Sequence, residues 1–301
     1  MSDFSCLQGV YNITPTPFHA DGALDVKSLA TLTEFTIARG VDGLTILGVM
    51  GEADKLTDAE RDVVIAETVR AARGRVPICV GTTHAGTDAC VSLSKRAWQL
   101  GAQAVMVAPP RLARATDAAL LRHYRAVAEA VDIPVVVQDH PTSSGVVMTV
   151  ELLARLGAES ERLRFVKLED EPSPPKIAQL LAANASLKVF GGLGGMMFLE
   201  ELRRGAIGTM TGFGFPEILV GIHRAFRGGE PGKATELFDR HCPLIRFENQ
   251  PRINLALRKH IYALRGAMAS AHARFPAAEL DAGTISDLRD LLARLGLMER
   301  S

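Results

Sequence analysis

The residue of this chain best placed for covalent chemistry is Lys167, inside the apolar run RFVKL (164–168). A lysine between Val166 and Leu168 has three options: reach solvent from a strand end, pair with Glu169 or Asp170, or point into an interior. Burial disfavours the ammonium form, and a neutral amine is the nucleophile that converts a ketone into an imine. Position alone does not choose among these options. Alternation puts Glu169 on the same side as Lys167. There it either tunes the amine and relays a proton or closes a salt bridge under a loop. Gln138 and His140 share a side in the same way, and His140 is the only group there that titrates near neutrality. His140 is expected to be the general acid or base and Gln138 to orient a substrate hydroxyl or water; the competing reading of His140 is a hydrogen-bonded strand-end histidine.

These residues need a scaffold that brings strand ends together. Eight short apolar runs, at 10–14, 43–48, 76–81, 104–108, 134–139, 164–168, 187–192 and 207–212, alternate with segments of helical period. Asp25 stands before one such segment. Thr57, with Glu60 three residues on, has capping-box spacing before another, and two more follow Thr87 and Thr116. Runs this apolar suit parallel strands covered on both faces, and eight strand–helix units close into an α/β (β/α)8 TIM barrel. The last stretch is helical throughout. The expectation is therefore a barrel over 1–215 with a C-terminal helical extension over 216–301, packed on it as one structural domain. Barrel active sites lie at the C-terminal strand ends. That adds Gly191 and Met210 as substrate-binding candidates and His84, just after the third run, as a weaker acid–base candidate. GGLGG (191–195) lacks phosphate-loop spacing and reads as a flexible loop.

Composition narrows the partners. The 301 residues are 47% hydrophobic and 23% charged, and 34 Lys and Arg balance 34 Asp and Glu. No net field attracts nucleic acid or an anionic membrane, so a small molecule is the expected partner. The N-terminus has no basic, apolar leader pattern and no run of about 18 apolar residues occurs, which predicts a cytoplasmic protein. Cys6, Cys79, Cys90 and Cys242 are scattered and read mostly as buried apolar residues. His223, His241 and His260 read as surface or interface residues. No H-E-x-x-H spacing appears, so metal-dependent chemistry is disfavoured and no cofactor is expected.

The segments TPTPF (14–18), GVMGEADKLTDAER (48–61), VGTT (80–83), APP (108–110), DHPTSSGV (139–146) and FVKLED (165–170) follow one another in an order that resembles the dihydrodipicolinate synthase and N-acetylneuraminate lyase family. The resemblance implies that Lys167 forms a Schiff base with pyruvate or another 2-oxo acid. The protonated imine then serves as electron sink for a class I aldolase or dehydratase. It also implies a homo-oligomer, a dimer or tetramer, and a substrate carboxylate held at Gly48, Val49, Met50 and Gly51, with Glu52 a buried architectural carboxylate.

The chain departs from that family at several places. Val49 and Met50 stand where two hydroxyl residues are usual, leaving backbone amides to bind the carboxylate. Gln138 replaces a proton-shuttling tyrosine, and the three tyrosines present, Tyr11, Tyr124 and Tyr262, lie elsewhere in sequence. Arg111 matches another tyrosine and Ser143 an arginine, so dihydrodipicolinate synthesis itself is not expected. Arg111 is a candidate for a distal substrate carboxylate, although Arg111 and Arg114 also read as solvated loop charges. The leading reading is an imine-forming lyase. Its alternatives are an imine-dependent deaminase or hydrolase of a cyclic imino acid, and an inactive oxo-acid-binding protein.

Overall fold

The computed structural model describes residues 7–111 and 115–298; Cys6 and Arg114 lie outside them. The strands are β1 (Gly9–Ile13), β2 (Gly43–Ile46), β3 (Ile78–Gly81), β4 (Ala104–Val107), β5 (Val135–Asp139), β6 (Phe165–Leu168), β7 (Lys188–Gly191) and β8 (Gly208–Thr211). Each pairs in parallel with the next and β8 pairs back to β1, closing the barrel. Every strand falls on one of the eight apolar runs, trimmed by a residue or two where backbone leaves the ladder.

The outer helices are α1 (Val26–Ala38), α2 (Asp58–Ala72), α3 (Thr87–Gln99), α4 (Asp117–Ala130), α5 (Pro141–Ser144), α6 (Val150–Glu159), α7 (Ser173–Ala183), α8 (Phe198–Arg203) and α9 (Pro216–Arg227). Their starts follow from side-chain chemistry. Asp25 accepts from the Ser28 amide at 2.9 Å, Thr116 from Ala119 at 3.3 Å, and Thr57 and Glu60 cap each other's amides in both directions. Such a cap contributes about 1 kcal/mol by satisfying amides that the first helical turn leaves bare. Helix α3 starts one residue earlier than expected, with Thr87 as its first residue and Gly86 as its cap.

Alternation along the strands separates two apolar layers. Tyr11, Cys79, Ala104, Met106, Val136, Phe165, Phe190 and Met210 fill the barrel interior with Leu7. Val10, Leu44, Val80, Val105, Val137, Val166, Leu168 and Val189 face outward into the helix layer. The domain boundary at 215 needs correction. Helix α9 follows β8 as each earlier helix follows its strand, so it completes the barrel ring. The extension begins with α10 (Pro231–Glu248), followed by α11 (Asn254–Leu264) and α12 (Ala282–Arg294).

Helix α11 ties the extension to the barrel mouth. The Tyr262 hydroxyl donates to Asn12 Oδ1 at 3.0 Å or to the Phe213 carbonyl at 2.9 Å, both buried. Lys259 forms a fully buried ion pair with Glu52. His241, expected at the surface, is buried on α10 with Nδ1 2.8 Å from the Leu237 carbonyl, while His223 and His260 are half-buried. These positions face the helix layer, where burial pulls His223 and His260 below the ordinary histidine range. Among the described residues, no helix is long and apolar enough to cross a membrane.

Candidate active site

Phe165 fills the barrel interior and its neighbours Val166 and Leu168 face the helices, so the pleat turns Lys167 inward and Glu169 after it. Lys167 is 2% exposed, and its Nζ lies 2.7 Å from Glu169 Oε2. On the adjacent strand Gln138 is in register with Lys167 and donates its Nε2 hydrogen to the same oxygen at 2.7 Å. His140 Nδ1 is 3.8 Å from that oxygen. The Leu193 amide donates to Glu169 Oε1 at 3.4 Å. Gly192 makes room for this carboxylate, since a Cβ there would fall 2.5 Å from Glu169 Cγ.

Three residues read separately from sequence, Lys167, Gln138 and His140, thus converge on the Glu169 carboxylate. Desolvation pushes the Glu169 carboxyl up, but Lys167, His140 and the Gln138 hydrogen bond together outweigh it and hold the group below the ordinary carboxylate range. Asp170 is not a partner of Lys167. It pairs instead with Lys176, whose Nζ also holds Asp139 at 2.7 Å and the Met148 carbonyl at 2.7 Å. Cys79 lies close enough to Lys167 to feel its charge, but burial pushes its thiol up to about 12, which leaves it inert.

The turn after β2 forms the other side of the site. Val49–Gly51 make a single 3-10 turn closed by the Gly51 amide on the Gly48 carbonyl at 2.9 Å, and the Thr16 hydroxyl donates to the Gly51 carbonyl at 2.6 Å. As the first amides of that turn, those of Val49 and Met50 have no partner within it. Glu52, at φ 54°, turns the chain back and is buried among Lys55, Lys259 and the Arg274 amide. It is architectural, as the sequence suggests.

A cavity of about 750 Å³ opens above these elements. Gly48, Val49, Met50, Gln138 and Arg111 line it together with His84, and the extension contributes Arg252, Asn254 and Pro276. Lys167 and Glu169 lie beneath its floor, with Gln138 reaching both the cavity and Glu169. Two candidates are misplaced. Gly191 faces the helix layer, where a Cβ would meet Glu201 Oε2, so Gly192 is the residue turned toward the site. Met210 is fully buried in the interior cluster and does not line the cavity. Gly191 thus lies on the outer side of the pleat, whereas Met210 points inward and is buried among the interior side chains.

Two charged residues escaped sequence reading. Arg258 of α11 is 3% exposed and reaches the mouth above Gly212. Its signal was a charge sharing the apolar face of Ile261 and Tyr262 at helical spacing. Glu201 of α8 is buried, accepts from the Ser173 hydroxyl at 2.7 Å and is pushed up to about 8, chiefly by burial. Among the described residues, no group of three or more His, Cys, Asp or Glu is placed to hold a metal ion.

The comparisons with known proteins agree with this geometry. A profile of the dihydrodipicolinate synthetase family matches residues 6–295. L-2-keto-3-deoxyarabonate dehydratase from Azospirillum brasilense is 34% identical over 293 residues, covering 96% of this chain and 94% of that protein. The crystal structure of dihydrodipicolinate synthase from Rhodopseudomonas palustris superposes with a TM-score of 0.91 at 34% identity, covering 98% of this chain and 99% of that one. A prophage protein of the same family from Escherichia coli K12, solved in complex with pyruvate, gives 0.91 at 26% identity, covering 97% and 99%. A match across nearly the whole length, joined to a barrel lysine buried at the C-terminal strand ends, means that the chain belongs to the dihydrodipicolinate synthetase family.

Proposed function

We propose that this Schiff-base lyase is a dehydratase of 2-keto-3-deoxy acids, with Lys167 as nucleophile and Glu169 as the proton carrier for both halves of the reaction. The observation that carries the proposal is the single carboxylate oxygen contacted at 2.7 Å by both Lys167 Nζ and Gln138 Nε2. The name of the Azospirillum relative supports the same chemistry.

The resting pair is an ammonium beside a carboxylate. Passing one proton from Nζ to Oε2 gives a neutral amine and a carboxylic acid in contact. The amine attacks the C2 carbonyl. The attacking nitrogen and the acid each give one proton to the departing oxygen, water leaves, and a protonated imine remains on Lys167. Glu169, ionised again, takes a proton from C3 to form an enamine and delivers it to the C4 hydroxyl as that group leaves as water. A proton then leaves C5 of the unsaturated imine and one returns to C3, the resulting C4–C5 enol ketonises to an aldehyde, and hydrolysis of the imine frees the amine. Gln138 holds Glu169 in place and presents its amide to the cavity. His140 exchanges protons between Glu169 and solvent, a supporting role rather than the primary one expected from sequence. The amides of Val49 and Met50 receive the substrate carboxylate, and Arg111 meets the distal end of the substrate.

An aldolase of the same substrates would release pyruvate, whereas a dehydratase releases none. Incubation with 2-keto-3-deoxypentonic acids is expected to give an oxo-acid semialdehyde and no pyruvate. Stoichiometric pyruvate with its aldehyde partner would overturn the dehydratase reading in favour of carbon–carbon cleavage. The same reading includes a cytoplasmic enzyme that assembles into a dimer or tetramer. Support for assembly comes from Phe275 and Val147, large apolar side chains that stand 87% and 70% exposed.

A further inference from the structure

Val49 and Met50 remove two hydroxyls from the turn that receives the carboxylate, and Val49 turns 65% of its surface to solvent. A carboxylate bound by two amides alone keeps most of its charge uncompensated. A cation that touches that turn comes from the far end of the chain. Arg258 Nη1 donates to Met50 Sδ at 3.3 Å, and Nη2 donates to Asn249 Oδ1 at 2.6 Å. A Cβ on Gly212, where β8 runs out at the mouth, would lie 3.4 Å from Arg258 Cδ and 3.5 Å from Nη1. Those are ordinary van der Waals separations, and they place the guanidinium beside the end of β8.

The hydrogen bonds of this buried guanidinium are poorly used. A thioether is a weak acceptor for a charged donor, and among the described residues Arg258 Nε has no acceptor within normal hydrogen-bond distance. Its counter-ion Glu248 stands 3.6 Å from Nε. Burial pushes the Glu248 carboxyl up to about 7, so its negative charge is incomplete near neutrality. Removing a guanidinium from water is costly unless charge and hydrogen bonds replace the water. Met50 both lines the cavity and touches Nη1, and its unbranched side chain can repack with little strain.

We propose that Arg258 binds the C1 carboxylate of the 2-oxo acid, the carboxylate displacing the Met50 thioether from Nη1 and supplying the charge that the missing hydroxyls do not. The inference rests on the imine-forming reading above. It makes α11, and so the extension, part of the substrate site. The Asn249 bond and the Gly212 contact hold the guanidinium in one orientation, which favours a planar carboxylate over a hydroxyl or amide.

The test is borohydride trapping at Lys167 with two probes, pyruvate and its uncharged amide, in wild-type protein and in Arg258→Gln. Arg258→Gln is expected to raise the pyruvate concentration needed for half-maximal trapping about tenfold to a hundredfold, the range for a lost charge-assisted hydrogen bond, while that for pyruvamide holds within about threefold. Arg258→Lys should recover part of the pyruvate preference. If Arg258→Gln does not fold, as read by circular dichroism, the double variant Arg258→Gln with Glu248→Gln removes both buried charges and carries the same comparison. Equal loss for the two probes, or no loss for either, overturns the inference. Equal trapping of both probes by wild-type protein overturns it without any variant. Absence of trapping in wild-type protein with either probe would instead sink the imine reading itself.

Discussion

Glu169 is the hub through which the other site residues act. Lys167, Gln138 and His140 all meet its Oε2. Glu169→Gln keeps the shape and one hydrogen bond but cannot carry a proton. It is expected to leave imine trapping possible and to lower turnover by about 10²- to 10⁴-fold, the usual worth of a positioned acid–base group. His140→Ala should cost far less, since it acts through Glu169; a loss as large as that of Glu169→Gln would return the leading role to the histidine. Residue identities at this scale were largely legible in the sequence, because strand alternation alone puts Gln138, His140, Lys167 and Glu169 on inward positions. The shared oxygen was not legible. Which nitrogen meets which oxygen depends on the register of β5 against β6, and no local pattern encodes register between strands.

At the scale of elements, the strands were readable because both faces are buried and the runs are continuously apolar, and the helix starts because Asp25, Thr57 and Thr116 carry capping oxygens. The Gly191 and Met210 errors belong here. The pleat puts Gly191 on the outer side, while Met210 has the inward side but is covered by the interior cluster, and a run's end alone settles neither. Helix α8 adds a consequence that no motif announces. Burial raises the Glu201 carboxyl from 4.5 to about 8 in the folded chain. The folded value exceeds the unfolded one, so the folded state binds the extra proton between those two pH values. Stability from this group is complete below about 4.5 and is lost as pH rises toward 8. Glu201→Gln keeps an acceptor for Ser173, so it should match the wild type near pH 5 and exceed it by roughly 1–3 kcal/mol near pH 8 in urea unfolding. An equal offset at both pH values would show that the carboxyl does not titrate in this way.

The whole molecule joins a symmetric barrel to a less regular cap. The eight strands were legible in the sequence, whereas α9, which we place in the ring beyond the expected boundary at 215, shares a helical period with α10, and only packing tells a ring member from an addition. The contribution of α11 was hidden for a related reason. Arg258 and Lys259 lie more than eighty residues beyond Lys167 in sequence, and the turns at Gly48–Glu52 and Gly212 that receive them become neighbours only when the barrel closes. The proposed assembly is checked by sedimentation, where the mass should be a multiple of 32.3 kDa and a single 32.3 kDa species would contradict it. Imine formation at Lys167 is the claim on which the rest stands, and borohydride reduction in the presence of pyruvate, followed by peptide mass spectrometry, tests it most directly. The peptide containing Lys167 should gain the mass of pyruvic acid less one oxygen, and Lys167→Met should abolish the gain. An unmodified Lys167 peptide, or an adduct on another lysine, would contradict the account.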